Sequence, residues 1–412
     1  MESDLSSLYL LVYLSCKGKK VKKVIKSIKV MLLPNNKQTS KLWMYSNTAR
    51  FAYNWAIARE KENYKAGNKF ISDNELRKEF TALKKTPEYR WLNRISNNVT
   101  KQAIKDACDA YKKFFKGLSK YPKFKSRKFS TPSFYQDTAK ISFTETHVKV
   151  EGFSSSRKKN RKKLNFIKLA EKNRIPVDAK YYNPRITFDG LNWWISVGIE
   201  YHDSTEENTN EGIGIDLGIK DLAICSDGKV FKNINKTQKV KKLEKRKRRL
   251  QRAISRKYEK NKKGGSYCKT CNIIKSEKEL LKLNHRLTNI RHDYIHQTTS
   301  KIIQRKPSYI TIEDLNVKGM MKNKHVSKSV QQQCLYEVAR QLQYKCSWNG
   351  IELRQVSRWY PSSKTCHECG YINKELKWYH RTYKCPICDY IEDRDYNASL
   401  NLRDMNEYKI IA

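Results

Sequence analysis

The chain has 412 residues, and its composition excludes several classes of protein. Lys and Arg number 86 against 41 for Asp and Glu, which gives a formal net charge of +45. Hydrophobic residues make up 38% of the sequence, enough for several cores, so a disordered basic tail and a collagen-like rod are both excluded. A charge this large opposes compaction unless a polyanion neutralises it, and the sequence therefore predicts a nucleic-acid partner.

The sequence pattern predicts neither a membrane-spanning helix nor a secretion signal. No apolar stretch approaches the roughly 20 residues that a membrane-spanning helix requires, and the longest, at 8–14, follows an acidic start, unlike a signal peptide. A membrane surface is thus a weaker alternative partner than nucleic acid, and we expect a cytoplasmic protein. The eleven cysteines are an odd number, which in that compartment favours metal binding over disulfide bonds.

The first half of the chain predicts a multidomain α+β fold. Residues 1–21 form a leader that no pattern assigns. Alternation over 22–34 predicts a strand, and apolar residues at helical spacing predict a helical module over 35–119. Strand-like segments return within 120–206, so we expect one small β-barrel from 22–34 and 120–206, with the helical module inserted into it.

Within the second part of this barrel, two runs predict strands. One covers 140–150, and the other covers 185–201. Asp189 and Gly190 interrupt the second run with a hairpin signal. A polar, basic loop is expected between the two runs, at 154–163.

After an acidic linker at 203–210, the pattern becomes that of an α/β domain. A glycine-rich run at 212–225 predicts a buried strand, and helices are predicted at 279–305 and at about 329–348. Residues 239–263 contain fourteen Lys and Arg and two Glu with one thin apolar stripe. The basic face of such a helix must face solvent or phosphates.

The strongest single signal is a pair of Cys-x-x-Cys motifs, Cys366 with Cys369 and Cys385 with Cys388. Their separation is typical of a zinc ribbon, in which four thiolates surround one Zn²⁺. Because sulfur fills all four positions, no position remains for a substrate. We therefore predict one structural zinc.

A third pair, Cys268 and Cys271, lies in a connection between two predicted helices. It supplies half of a zinc site. An exposed loop tip is favoured over a second zinc at this stage.

Carboxylates in apolar surroundings predict a second metal site. Asp216 lies on an apolar strand and Glu313 ends another, where an unpaired charge is costly. Asp393 and Asp395 precede the last predicted helix. Convergence of three such acids would suit Mg²⁺, which prefers oxygen ligands and, as a pair of ions, catalyses phosphodiester cleavage. Each acid alone also has a structural interpretation: Asp393 as a helix cap, or Glu313 as an ion-pair partner.

These residues lie in motifs that resemble those of the TnpB (OrfB) proteins, insertion-sequence proteins related to miniature type V CRISPR effectors and to Fanzor proteins. The resemblance extends from about residue 22 to residue 402. It rests on the motifs 50–55 (RFAYNW), 122–127 (PKFKSR), 212–218 (GIGIDLG), 312–320 (IEDLNVKGM), 361–370 (PSSKTCHECG) and 393–402 (DRDYNASLNL).

The resemblance implies an RNA-guided, Mg²⁺-dependent DNA endonuclease of a transposable element. Its guide RNA would derive from the transposon end, and its double-stranded target DNA would be cut beside a short flanking motif. One RuvC-type, RNase H-like α/β domain would cover 207–361 and 391–412, with the zinc ribbon inserted at 362–390. Asp216, Glu313 and Asp395 would be the catalytic residues and would bind two Mg²⁺, with Asp393 as the rival for the last position.

The resemblance also assigns the first half of the chain. The barrel would be the family's wedge domain, and the helical module its recognition domain. Tyr53, Asn54 and Gln102 are candidates for reading the flanking motif, and Lys125 and Arg127 for contacting phosphates. Since base pairing with the guide would supply specificity, such a protein needs charge and shape rather than base-reading helices.

Three alternatives remain open at this point. A guided DNA-binding regulator without cleavage is disfavoured because all three acids are present. A DDE transposase is disfavoured because its acids follow the order Asp, Asp, Glu, whereas this chain has Asp, Glu, Asp. A small type V CRISPR effector has the same domains, so the sequence does not separate it from TnpB. The leader and the Cys268 and Cys271 pair depart from the family pattern.

Overall fold

The computed structural model describes residues 23–153, 164–202, 208–377 and 379–412. They divide into two compact units, one over 23–202 and one over the described residues from 208 onwards. The predicted leader, the basic loop at 154–163 and the first half of the linker at 203–210 lie outside the described residues. None of the described helices combines the length and the apolar composition that crossing a bilayer requires.

The first unit contains a seven-stranded sheet. Its strands are β1 (Lys23–Leu33), β2 (Ser133–Tyr135), β3 (Ser142–Phe143), β4 (His147–Lys149), β5 (Phe166–Leu169), β6 (Tyr181–Phe188) and β7 (Trp193–His202). Their order in the sheet is β2-β6-β7-β1-β5-β4-β3. The first strand of the chain pairs antiparallel with the last strand of the unit, β7, from Lys23 opposite His202 to Leu32 opposite Trp193.

The predicted hairpin is confirmed, and one predicted strand is wrong. The hairpin joins β6 to β7, and Asp189 fastens it by accepting a hydrogen bond from Trp194 Nε1 at 2.6 Å. The run at 140–150 is two short paired strands, β3 and β4, rather than one. A turn separates them, since the His147 carbonyl accepts a hydrogen bond from the Thr144 amide at 2.8 Å.

Four helices whose bounds the structure describes lie between β1 and β2 in the chain. They are α1 (Asn36–Lys65), α2 (Asp73–Leu83), a 3₁₀ helix (Pro87–Arg94) and α3 (Asn97–Phe115). The first begins with a capping box, in which the side chains of Asn35 and Gln38 each accept a hydrogen bond from the other's backbone amide; such caps satisfy amides that the helix itself leaves unpaired. Apolar residues of α1, such as Leu42 and Tyr45, share one core with Val30 and Ile195 of the sheet.

The second unit contains a six-stranded sheet with parallel strands at its centre. Its strands are β8 (Gly212–Asp216), β9 (Asp221–Cys225), β10 (Val230–Lys232), β13 (Tyr309–Glu313), β14 (Glu352–Val356) and β17 (Lys409–Ile410), in the order β10-β9-β8-β13-β14-β17. Two small hairpins are formed by β11 (Lys262–Lys263) with β12 (Ser266–Tyr267) and by β15 (Thr382–Lys384) with β16 (Ile391–Asp393).

The helices of the second unit correct two sequence predictions. They are α4 (Gln238–Lys260), α5 (Cys271–Ile303), α6 (Val317–Met320), α7 (Ser327–Gln333), α8 (Leu335–Asn349) and α9 (Arg394–Arg403). The single helix predicted at 329–348 is two helices, because Cys334 has a left-handed φ of 54° that a right-handed helix cannot contain. The helix predicted from 279 begins at Cys271, where the Thr270 side chain caps it by accepting from the Ile273 amide.

The close packing of α9 on β8 depends on a glycine. A Cβ atom at Gly214 would lie 2.0 Å from the Ser399 carbonyl oxygen and 2.4 Å from the Arg403 amide nitrogen. These are backbone atoms, which cannot rotate away. The absence of a side chain at Gly214 therefore lets α9 lie directly on the strand that ends at Asp216.

Candidate active site

Asp216 and Glu313 leave the sheet at the same edge. They are the last residues of β8 and β13, which are parallel neighbours with Ile215 opposite Ile312. Because parallel strands end on the same side of a sheet, both carboxylates emerge together. Asp395 is the second residue of α9, the helix packed on β8. The fold thus brings the three predicted acids to one region.

The pKa of Asp216 is affected by the neighbouring acids. Burial raises the pKa of Asp216 well above its usual range, and the neighbouring carboxylates of Glu313 and Asp395 raise it further, while the Arg394 guanidinium opposes the rise. Burial also raises the pKa of Glu313, against the effect of a hydrogen bond from Ser362. Such clusters of mutually repelling carboxylates are typical of sites that bind cations or move protons.

Two of the acids are held by neighbouring side chains. The Ser362 hydroxyl donates to Glu313 Oε1, and Arg394 donates to Asp395 Oδ1 from Nε at 3.0 Å and from Nη2 at 2.6 Å. Among the described residues, the acids do not form a group whose ligand oxygens all lie within 4.8 Å of one another. The sulfur atoms of the four cysteines described below do form such a group. Their oxygen donors nevertheless suit Mg²⁺ in chemical type.

Asp393 and Asp395 occupy different environments. Asp393 is exposed, and its Oδ1 accepts from the backbone amides of Asp395 at 2.9 Å and Tyr396 at 3.1 Å, so it is the N-cap of α9. Asp395 is only 13% exposed, and its charge raises the pKa of Asp216 more than that of Asp393 does. This arrangement favours Asp395 over Asp393 as the third acid.

The four predicted zinc ligands form one cluster. Their sulfur atoms all lie within 4.8 Å of one another, with Cys366 Sγ 3.6 Å from Cys388 Sγ and Cys369 Sγ 3.5 Å from Cys385 Sγ. A tetrahedral zinc with Zn–S bonds of about 2.3 Å requires sulfur separations of about 3.8 Å. The cluster therefore fits a metal ion such as zinc.

Each cysteine pair is folded as a tight turn. The residue after each pair has a positive φ, 73° at Gly370 and 56° at Asp389, a conformation that glycine and short polar residues tolerate. Tyr383 is fully buried between the turns. These features help to set the geometry of the thiols.

Two asparagines of α9 connect the ribbon to the acids. Asn397 Nδ2 donates to the Thr365 carbonyl at 2.8 Å, and Asn401 Nδ2 donates to the carbonyls of Ser362 and Thr365 at 2.8 and 2.7 Å. Sequence reasoning missed these residues, together with Ser362 and Arg394. The signal was available, since two asparagines four residues apart lie on the same face of a helix.

A cleft of about 640 Å³ adjoins the acids and is lined by Glu313 and Arg394. Its other walls include the cations Arg358, Lys364 and Lys377 and the indole of Trp359, which is 86% exposed. Sequence reasoning also missed this cleft. The signal that could have indicated it is the tryptophan Trp359 beside Arg358 and near Lys364.

In the first unit, three of the predicted nucleic-acid contacts lie together. Asn54 Nδ2 donates to the Lys125 carbonyl at 2.9 Å, and the Lys125 amide donates to Asn54 Oδ1 at 2.8 Å. Lys125 Nζ lies 3.7 Å from the ring centroid of Tyr53, which is buried. Asn54 therefore fixes the backbone at Lys125 to α1.

The other two predicted contacts border this cluster. Gln102 Nε2 donates to Asp106 Oδ1 at 2.9 Å, and Asp106 also accepts two hydrogen bonds from Arg185, at 2.7 and 2.8 Å. Arg127 and Lys125 line a small cavity with Asp106 and Arg185. The surface around these residues is polar and charged.

Three family models match the chain. The OrfB model of IS605 elements, described as "Probable transposase", matches 196–324, the associated "Helix-turn-helix domain" matches 24–69, and the "Cas12f1-like, TNB domain" matches 336–402. The resemblance to the TnpB (OrfB) family is confirmed. Within the family's helix-turn-helix segment this chain has the strand β1 followed by the single helix α1.

Two family relatives match most of the chain. A protein of Escherichia coli (strain K12), InsQ, is 28% identical over 92% of this chain and 92% of its own length. A protein of Streptomyces pristinaespiralis is 27% identical over 93% of this chain and 89% of its own length. Both carry the name "Putative RNA-guided DNA endonuclease".

A solved structure shares the fold. The Cas12f1 protein from a cryo-EM structure of a Cas12f1–sgRNA–target DNA complex superposes with a TM-score of 0.62 at 13% identity, over 94% of this chain and all of that one. This likeness supports a mixed α/β fold of the same kind for this chain.

Proposed function

We propose that the chain is an RNA-guided, Mg²⁺-dependent DNA endonuclease of a transposable element, which cuts target DNA next to a short flanking motif. The observation that carries this proposal is the convergence of Asp216, Glu313 and Asp395 beside a basic cleft. It occurs in a chain that matches most of two relatives named as such enzymes.

The three acids would hold two Mg²⁺ at the carboxyl edge of the sheet in a RuvC-type, RNase H-like domain. When bound, the ions supply an activated water and a clamp on the phosphate oxygens. Only the ionised carboxylates bind the ions. Because the pKa of Asp216 and of Glu313 is raised, metal binding should weaken as the pH falls. Ser362 holds Glu313 in position, and Arg394 offsets the negative charge of Asp395.

The cleft beside the acids suits a single nucleic-acid strand. Lys364 and Lys377 are exposed cations that would contact phosphates. The exposed indole of Trp359 offers a face on which any base can stack, an interaction worth about 1–3 kcal/mol per base. A strand held there would place a phosphodiester next to Glu313.

The remaining parts of the chain have assigned functions under this proposal. The segments 22–34 and 120–206 form the wedge, 35–119 the recognition module, 207–361 with 391–412 the nuclease, and 362–390 the ribbon with one structural zinc. Guide RNA and target DNA would neutralise the excess of basic residues. Tyr53, Asn54, Gln102, Lys125 and Arg127 remain candidates for contacts near the flanking motif.

One alternative has an observation in its favour. The structural likeness to a Cas12f1 protein is also compatible with a small type V CRISPR effector. The source of the guide RNA separates the two, because a transposon end would supply it in one case and a repeat array in the other. A cleavage-inactive regulator is disfavoured by the presence of all three acids.

The deciding experiment is to express the chain with its natural downstream DNA, purify it and sequence the bound RNA. We expect one dominant RNA that ends in the element's flank. Replacing its last segment should redirect cleavage of a plasmid library to the matching sequence, and Asp216→Ala should abolish cutting while RNA binding persists.

Asp293→Asn is the matched control, because this exposed acid on α5 lies outside the site. The control should cut as the unmodified protein does. Purified protein with only random RNA, or cleavage retained by Asp216→Ala, would refute the proposal.

A further inference from the structure

The third cysteine pair lies at the end of a helical hairpin. The helices α4 and α5 pack side by side through Val240, Leu243, Leu283 and Leu287, and the β11–β12 hairpin joins them. We call residues 261–271 the hairpin tip. Since α4 has 23 residues, it extends roughly 34 Å at 1.5 Å per residue, so the tip projects well beyond the contacts at its base.

The hairpin tip has a defined conformation. The Cys268 amide donates to the Asn261 carbonyl at 3.0 Å, and Tyr267 OH donates to Glu259 Oε1 at 3.2 Å. Just below the tip, Tyr258 OH donates to Glu277 Oε1 at 2.7 Å and joins the two helices. These contacts fix the backbone that carries both cysteines.

Cys268 and Cys271 are both exposed. Within the described ranges, four cysteines are exposed, and all four belong to Cys-x-x-Cys pairs. The other two, Cys369 and Cys388, are members of the four-cysteine cluster. No group of three or more potential ligands in those ranges includes Cys268 or Cys271, so one copy of the tip supplies two ligands of the four that a structural zinc requires.

We propose that two copies of this chain share one zinc ion at their hairpin tips, with Cys268 and Cys271 from each copy as its four ligands. A twofold axis through the ion makes the contact self-complementary, as in most closed dimers. The site is incomplete in either copy alone. It is separate from the catalytic acids and goes beyond the proposed nuclease activity.

Repulsion between positive charges is the main obstacle to bringing two tips together, and the negative charge of the metal centre offsets part of that repulsion. Lys262, Lys263 and Lys269 make each tip basic. Four thiolates and one Zn²⁺ carry two net negative charges, so these lysines favour the complex once it forms. Lys269 is already paired with Glu277, with Nζ 2.5 Å from Oε2.

The test measures zinc and mass together on the full-length protein purified with zinc present. We expect about 1.5 zinc ions per chain, from one ribbon ion per chain and one shared ion per two chains, and a dimer by mass photometry. The double variant Cys268→Ser/Cys271→Ser should lose about one third of the zinc and become a monomer. Cys334→Ser, a partly exposed cysteine outside any pair, is the matched control and should change neither value.

A second measurement removes the dependence on any one variant. Replacing zinc with Co²⁺ should give the thiolate charge-transfer absorption of four-sulfur sites in both the ribbon and the shared site, and the double variant should lose about one third of it. Cys366→Ser should reduce the ribbon metal and leave the dimer intact, which separates this proposal from that of the ribbon zinc. A zinc content of about 1.0 with the protein monomeric, about 2.0 in monomers, or a dimer that persists in the double variant would each overturn the shared site.

Discussion

Ser362 shows how one hydroxyl group can adjust a carboxylate of the proposed catalytic site. It is 2% exposed and donates to Glu313 Oε1, while its own carbonyl accepts from Asn401 of α9. The hydrogen bond lowers the pKa of Glu313, which burial raises. Ser362 is therefore a positioning residue that helps keep the carboxylate ionised.

Ser362→Ala should shift the pH dependence of cleavage. The hydrogen bond from Ser362 lowers the pKa of Glu313, so its loss leaves burial less opposed and the pKa rises further. Because the ionised form binds the metal, activity should be lost at a higher pH as the solution is acidified. Cleavage rates with saturating guide and Mg²⁺ between roughly pH 5.5 and 9 measure the shift. Ser363→Ala is the neighbouring control, and an equal loss of rate at every pH would argue against the assignment.

At the scale of elements, the site depends on how closely α9 lies on β8. Gly214 permits that contact, and α9 then places Asp395 near Asp216 while Asn397 and Asn401 hold the base of the ribbon. A small displacement of this helix would therefore disturb the acids and the ribbon together.

Gly214→Ala should impair both stability and activity. The added methyl group meets backbone atoms, so α9 must move, and overpacking of this kind costs about 1–3 kcal/mol. We expect a melting temperature lower by roughly 2–10 °C and at least about tenfold slower cleavage, since misplaced catalytic groups lose rate steeply. Gly265→Ala, where a Cβ meets nothing within 4 Å, is the control. Unchanged melting and cleavage in Gly214→Ala would contradict the close-packing argument.

At the scale of the whole molecule, the net charge of +45 favours a polyanionic partner. Much of the charge is organised, because ten of the fourteen exposed positions of α4 are basic, and the helix buries only Val240, Leu243 and Ile254. Such a helix contributes little core and a large positive surface, as expected for a nucleic-acid channel.

Replacing four exposed basic residues of α4 with glutamine should weaken RNA binding and should make the affinity for RNA less dependent on salt. The positions are Lys245, Arg248, Arg249 and Arg252. Each lost phosphate contact should reduce the slope of log affinity against log salt by about 0.7–0.9, a total of about 3 if all four contact RNA. Filter binding between about 0.1 and 0.5 M salt measures the slope.

A matched control removes the same charge elsewhere in the unit. Glutamine at the exposed residues Lys318, Lys322, Lys324 and Lys328 should change the slope much less. Equal effects of the two variants would mean that α4 acts only through net charge.

The sequence by itself determined the features that depend on local pattern or on motif. The zinc-ribbon spacing, the hairpin at Asp189 and the basic helix could all be read directly, because metal-ligand spacing, turn chemistry and amphipathic period are local properties. The family resemblance was also readable, and the family models confirm it.

Only the tertiary structure decided the features that depend on residues far apart in the chain. It distinguished Asp395 from Asp393, because Asp393 caps the backbone amides at the start of α9. It also showed the hydrogen bond from Ser362 to Glu313 and placed Trp359 on the wall of a cleft. It also ended a predicted helix at Cys334 and began another at Cys271. These outcomes depend on backbone conformation and on contacts across many intervening residues, which local patterns do not encode.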